Sequence, residues 1–252
     1  MDIAKVREDV WGREVIAGVS WDLLWLVVVA AFVIIIAHIV IMLILKAKAK
    51  ASDAGKRLER HTPFDRWFHW VIAASVFVLL ITGVFPIIGI NFSWLTIHWI
   101  AGIVLTLAIV VHIVRALFWQ DAMSMWIAPS DLSEPFDDAQ KPGKYSLAQK
   151  TMHLVMSVLV LVVIATGIAL FLQIDTPWWE RSNAMTEATL GWMFLLHGLS
   201  TLALIGVTAL HMYFAVRPEK LFYTRSMFKG WISEHELSAN HDPARWAPSE
   251  ES

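Results

Sequence analysis

Cysteine is absent from all 252 residues. That excludes disulfides, thiolate zinc sites, cysteine-ligated iron–sulfur clusters and covalently attached c-type haem. Metal or redox chemistry in this chain therefore falls to its ten histidines. Charge is scarce as well, at 17% Asp, Glu, Lys and Arg against about 25% in an average soluble domain. A net charge of −2 gives no field to attract an anionic partner, which excludes nucleic acid. Tyrosine is rare, with three residues beside fourteen Trp and thirteen Phe, and Trp gathers at membrane–water interfaces. With 57% apolar residues and a mean hydropathy of +0.58, the chain has the composition of a protein in lipid, not of a cytosolic enzyme.

Five apolar stretches are long enough to cross a bilayer, which takes about 20 helical residues: Leu23–Leu45, Trp67–Ile88, Trp94–Phe118, Thr151–Leu172 and Gly191–Val216. Runs such as Val27-Val28-Val29 favour strand in water, but in lipid every backbone amide needs an internal partner, so these segments are predicted as helices. The first stretch lacks a small-residue cleavage site and reads as a retained span, not a signal peptide. Basic residues set the orientation. Sixteen lie on one side, among them Lys46, Lys48, Lys50 and Arg60 in the first connection, Lys144 and Lys150 in the third, and Arg217 to Arg245 in the tail; only Arg181 lies between spans on the other. The N-terminus is expected outside and the C-terminus inside. The inner loop Gln120–Tyr145 is polar and turn-rich, too small for a catalytic domain but large enough for docking. No internal repeat is evident.

Ionisable residues in membrane spans mark function by default, and here they are mostly His: His38, His69, His98, His112, His153, His197 and His211. A single such His is most simply a polar contact between helices. The spacing argues for more. His98 and His112 are 14 residues apart, as are His197 and His211. Fourteen steps fall some 40° short of four turns, so each pair keeps one face, its members about 21 Å apart along the axis. Two such helices facing each other would stack two haems across the membrane, each iron taking two axial imidazoles. Zinc would need three or four ligands converging on one point. Thr82-Gly83 and Thr166-Gly167, late in spans two and four, with Gly102, Gly198 and Gly206, allow close approach of a backbone or a flat macrocycle. Plain helix packing explains them equally.

From about Arg60 to the tail the chain resembles the cytochrome b (gamma) subunit of membrane-bound formate dehydrogenases and, more loosely, the cytochrome b of nickel–iron hydrogenases. Phe64-Asp65-Arg66-Trp67-Phe68-His69-Trp70, Gly143-Lys144-Tyr145 with Gln149-Lys150, Leu195-Leu196-His197-Gly198 and Leu210-His211-Met212-Tyr213 carry the resemblance. It implies an all-α integral membrane protein, a four-helix transmembrane haem-binding bundle, here with one additional N-terminal transmembrane helix. The implied division is 1–50 for the N-terminal segment, 51–218 for the dihaem domain and 219–252 for a cytoplasmic tail. The family's ligands fall on His69, His98, His197 and His211. With the orientation above, His98 and His197 would hold an outer haem b and His69 and His211 an inner one. His112 and His153 are departures from the formate dehydrogenase pattern, and His112 is an alternative partner of His211. His38 lies beyond the matched region and reads as a packing residue.

By the same resemblance the chain is the electron-transfer and quinone-reacting subunit of a respiratory oxidoreductase in a bacterial inner membrane. An iron–sulfur subunit and a catalytic molybdenum, tungsten or nickel–iron subunit are its implied partners. Quinone chemistry needs protons, so polar groups near the inner haem become candidates: His112, His153, Ser146 and Gln149, for which interfacial polarity is an equal explanation. Trp178-Trp179-Glu180-Arg181 outside and Phe228-Lys229-Gly230-Trp231 inside are candidate docking segments. A non-redox anchor or transporter is the rival class, but the broken helices or paired repeats of a transporter are not seen.

Overall fold

A computed structural model describes residues 2–44, 53–120, 122–137 and 140–248. Leu45, Lys46, Lys48, Lys50 and the expected boundary at 50/51 lie outside the described residues. Among the described residues, five helices are long and apolar enough to cross a membrane: α1 (Leu23–Ile44), α2 (Pro63–Val84), α3 (Trp94–Phe118), α4 (Leu147–Phe171) and α5 (Glu187–Ala215). Three begin a turn before the expected apolar stretch, because polar caps start them in a segment that hydropathy alone passes over. At α2 the Asp65 N–H donates to Thr62 Oγ1 (3.2 Å) and the Thr62 N–H to the Asp65 carboxylate (3.3 Å), with Pro63 opening the helix. At α4 the Ser146 N–H donates to Gln149 Oε1 (3.0 Å) and the Gln149 N–H to Ser146 Oγ (3.4 Å). At α5 the Thr189 N–H donates to Thr186 Oγ1 (3.2 Å).

The chain forms two compact units. One comprises the chain up to Ile34, Ser75–Thr106 and Met156–Ala209; the other comprises Ile35–Ala74, Leu107–Val155 and Leu210 onward.

The first unit contains an antiparallel ribbon that hydropathy does not foresee, β1 (Ala4–Glu8) paired with β2 (Glu14–Val19), with an irregularity between Lys5 and Val6. Its turn is organised by Asp9, whose carboxylate accepts from the N–H groups of Trp11 (2.8 Å) and Arg13 (2.9 Å) and from Arg13 Nε (2.7 Å). Val19 and Leu24 pack with Leu195 and Leu202 of α5. Small residues on α5 make this possible: a Cβ at Gly191 would strike the Ile16 carbonyl, and one at Gly198 the Val19 side chain.

In the second unit the expected tail is folded. Helix α6 (Leu221–Lys229), strand β4 (Trp231–Ser233) and helix α7 (Glu234–Asn240) follow one another, and β4 pairs with β3 (Arg57–Glu59), Leu58 opposite Ile232. Phe222, Ile232 and Leu237 form its core. Burying side chains of this kind contributes about 1.5–3 kcal/mol each. Arg60, 3% exposed, donates through its guanidinium to the Lys144 carbonyl (2.7 Å) and to His241 Nε2 (3.3 Å) and lies over Tyr223 and Trp246. His241 Nδ1–H donates to the Gly143 carbonyl (2.6 Å). Burial, reinforced by the Arg60 charge, holds His241 at about 3. A second knot forms around buried Asp131, which accepts from Lys150 Nζ (2.7 Å), Arg245 (2.6 Å) and the Ala128 N–H (2.8 Å). Burial opposes its charge, but these hydrogen bonds prevail and hold the carboxyl below its usual range.

Candidate functional site

Within the first unit, α3 and α5 bring the rings of His98 and His197 together edge-on, 6.4 Å between centroids and 66° between planes. Both rings are half-buried. Thr82 on α2 meets His98 Nδ1 through Oγ1 at 2.8 Å, and Thr166 on α4 meets His197 Nδ1 at 2.9 Å. That engages one nitrogen of each imidazole and leaves Nε2 for a ligand. The residues that follow are glycines: a Cβ at Gly83 would sit 3.6 Å from His98 Cε1, and one at Gly167 3.4 Å from His197 Cε1. The same two imidazoles are paired by the family resemblance and the expected orientation, and both Thr-Gly dipeptides stand out in the sequence by their small size, but the role of the hydroxyls does not. The signal was the repeated dipeptide at matching depth in spans two and four.

Helices α2 to α5 place four further imidazoles in the second unit, His69, His112, His153 and His211. His69 lies on α2 and His211 on α5, and Trp70 meets His69 edge-on at 5.3 Å. His112 on α3 approaches His153 on α4, 6.1 Å between centroids, and stacks on Phe68 at 5.9 Å. Beside His112, Arg115 donates to the Asp65 carboxylate at 2.8 Å, as does the Gln120 amide at 3.0 Å. Ser146 and Gln149 cap α4 as described. His38 on α1 contacts Tyr213 OH through Nδ1 (2.9 Å) and accepts from Arg217 at Nε2 (3.2 Å). Outside the spans, burial first and then the charges of Arg60 and Lys144 push His61 down to about 3.

Both candidate docking segments are engaged within the chain. The Phe228 carbonyl accepts from Arg66 (2.6 Å), the Phe228 ring packs on Trp70 (4.6 Å), and Arg225 lies over Trp231 (3.9 Å). Trp178 and Trp179 pack against Trp99 and Phe171, and the Arg181 N–H donates to Asp175 (2.9 Å).

A haem iron is a fit for the His98–His197 pair. An imidazole nitrogen bonds a transition metal at about 2.0–2.1 Å, so two rings on opposite sides of one metal bring their centroids to roughly 6 Å. Among the described residues no three or more His, Asp or Glu side chains form a group suited to a bare metal ion. Apolar helices of membrane-spanning length, with imidazoles brought near one another from different helices, define a multi-pass membrane protein. A family model described as prokaryotic cytochrome b561 matches residues 60–230, and the chain belongs to that family. Membership makes it a bacterial membrane cytochrome b, with haem b as cofactor and electron transfer as its role. The match bears on the cytochrome b superfamily and not on the formate dehydrogenase gamma subunit in particular. It leaves out β1, β2, α1 and β3 before it and β4 and α7 after it. No curated protein matches the chain.

Proposed function

We propose that the chain is the dihaem cytochrome b subunit of a formate dehydrogenase-like respiratory oxidoreductase, passing electrons between an iron–sulfur partner and membrane quinone. The opposed rings of His98 and His197, 6.4 Å apart, carry this reading. Haem b, when bound, supplies reversible one-electron transfer. His98 and His197 would hold one iron through Nε2, and His69 and His211 a second. The apolar helices around each site would keep water from the iron. On the expected orientation the His69–His211 site faces the cytoplasm.

Quinone reacts with protons as well as electrons, which requires groups able to hold and pass a proton. His112 and His153 meet that need, with Asp65 and Arg115 beside His112. Ser146 and Gln149 remain quinone-side candidates, although the contacts above go to capping α4. One observation favours a second assignment of the inner iron: the 6.1 Å separation of His112 and His153 also suits two axial imidazoles.

The purified chain in vesicles, given a reduced quinol, should show reduction of its haem that a quinone-site inhibitor blocks. His112→Phe should slow that reduction without lowering haem content. Loss of haem in His112→Phe would move the inner iron to the second assignment, and no exchange with quinol in wild type would contradict the reading.

A further inference from the structure

Thr82 and Thr166 are almost completely buried, at 2% and 4% exposure, and each hydroxyl does two things. Thr82 Oγ1 lies 2.7 Å from the Val78 carbonyl as well as 2.8 Å from His98 Nδ1. Thr166 Oγ1 lies 2.7 Å from the Val162 carbonyl and 2.9 Å from His197 Nδ1. A carbonyl only accepts, so the single hydroxyl proton belongs to the backbone contact and the oxygen must accept from the imidazole. Both Nδ1 atoms therefore carry the proton, and both Nε2 atoms present lone pairs.

We propose that Thr82 and Thr166 are positioning residues that set the tautomer, the ring planes and the reduction potential of the redox centre between His98 and His197. The inference rests on those two histidines being its ligands. An acceptor on Nδ1–H makes an imidazole a stronger donor to metal through Nε2 and fixes its orientation; loss of such a partner typically costs about 10–100-fold in metal affinity. A more strongly donating imidazole favours the oxidised metal, so the two hydroxyls hold this potential down. The arrangement occurs twice, Thr-Gly on α2 serving α3 and Thr-Gly on α4 serving α5, and supports both sides of one site symmetrically.

The test compares Thr82→Val and Thr166→Val with Thr82→Ser and Thr166→Ser, reading haem retention, midpoint potential and the electron paramagnetic resonance line shape of the oxidised protein. Thr106→Val is the matched control, because Thr106 bonds the Gly102 carbonyl (2.7 Å) in the same helical manner without an imidazole contact. Each Val variant should raise the potential of one centre, shift its line shape and weaken haem retention by about 10–100-fold. The Ser variants should restore all three, and Thr106→Val should change none. Wild-type potential and line shape in both Val variants would overturn the proposal, as would equal changes in Thr106→Val. His98→Leu separates the two levels of the argument: if it removes a haem while the Val variants are silent, the positioning role alone fails. If it removes none, the ligand assignment fails and this role with it.

Discussion

At His241 and His61 burial outweighs basicity, and both are held at about 3. An unfolded chain returns them to about 6.5, so between those values the unfolded state binds protons that the folded state refuses. The stability that these neutral imidazoles confer is present above pH 6.5 and drains away as pH falls toward 3. The thermal midpoint in detergent should therefore drop between pH 7 and pH 5, and less steeply in His241→Gln. Asp131 has the shift usual for an acid and keeps its contribution until pH falls below about 4, the ordinary carboxylate range. Replacing it by Ala strands Lys150 and Arg245 and should cost about 3–5 kcal/mol, the scale for breaking a buried ion pair from one side, read by denaturant unfolding.

Among the elements, α5 has the most varied duties. It presents His197 to His98 and, at Gly191 and Gly198, receives the N-terminal ribbon. Gly191→Val would drive a branched side chain into the Ile16 carbonyl. It should release the ribbon to protease attack near Asp9–Arg13 while haem content stays at the wild-type level. Helix α4 offers a test of its capping pair. Ser146→Ala should lower stability by about 1 kcal/mol, as loss of an N-cap does; an additional change in quinol reactivity would show that Ser146 also reaches substrate. Apolar length located all five helices in the sequence because lipid leaves a long run no alternative to helix. The starts of α2, α4 and α5 were misplaced because hydropathy is blind to Thr62, Ser146 and Thr186. The ribbon and the folded tail were missed for a related reason: both depend on pairing between distant segments, such as Leu58 with Ile232.

For the whole molecule, the family resemblance and the expected orientation of the spans made the His98–His197 pairing legible, since together they place both imidazoles at one depth. The meeting of His112 with His153 was not legible, because it depends on how α3 and α4 turn toward each other and periodicity within one helix carries no record of that. The hydroxyl contacts of Thr82 and Thr166 were hidden likewise, since a Thr beside a Gly reads as small-residue packing until the neighbouring helix is in place. Imidazoles from different helices are proposed to share an iron. Haem b content per chain, in wild type and in His197→Leu and His211→Leu, tests this most directly. Two haems in wild type and one in each variant are predicted. A colourless wild-type protein, or a His197→Leu protein that keeps its full complement, would contradict it.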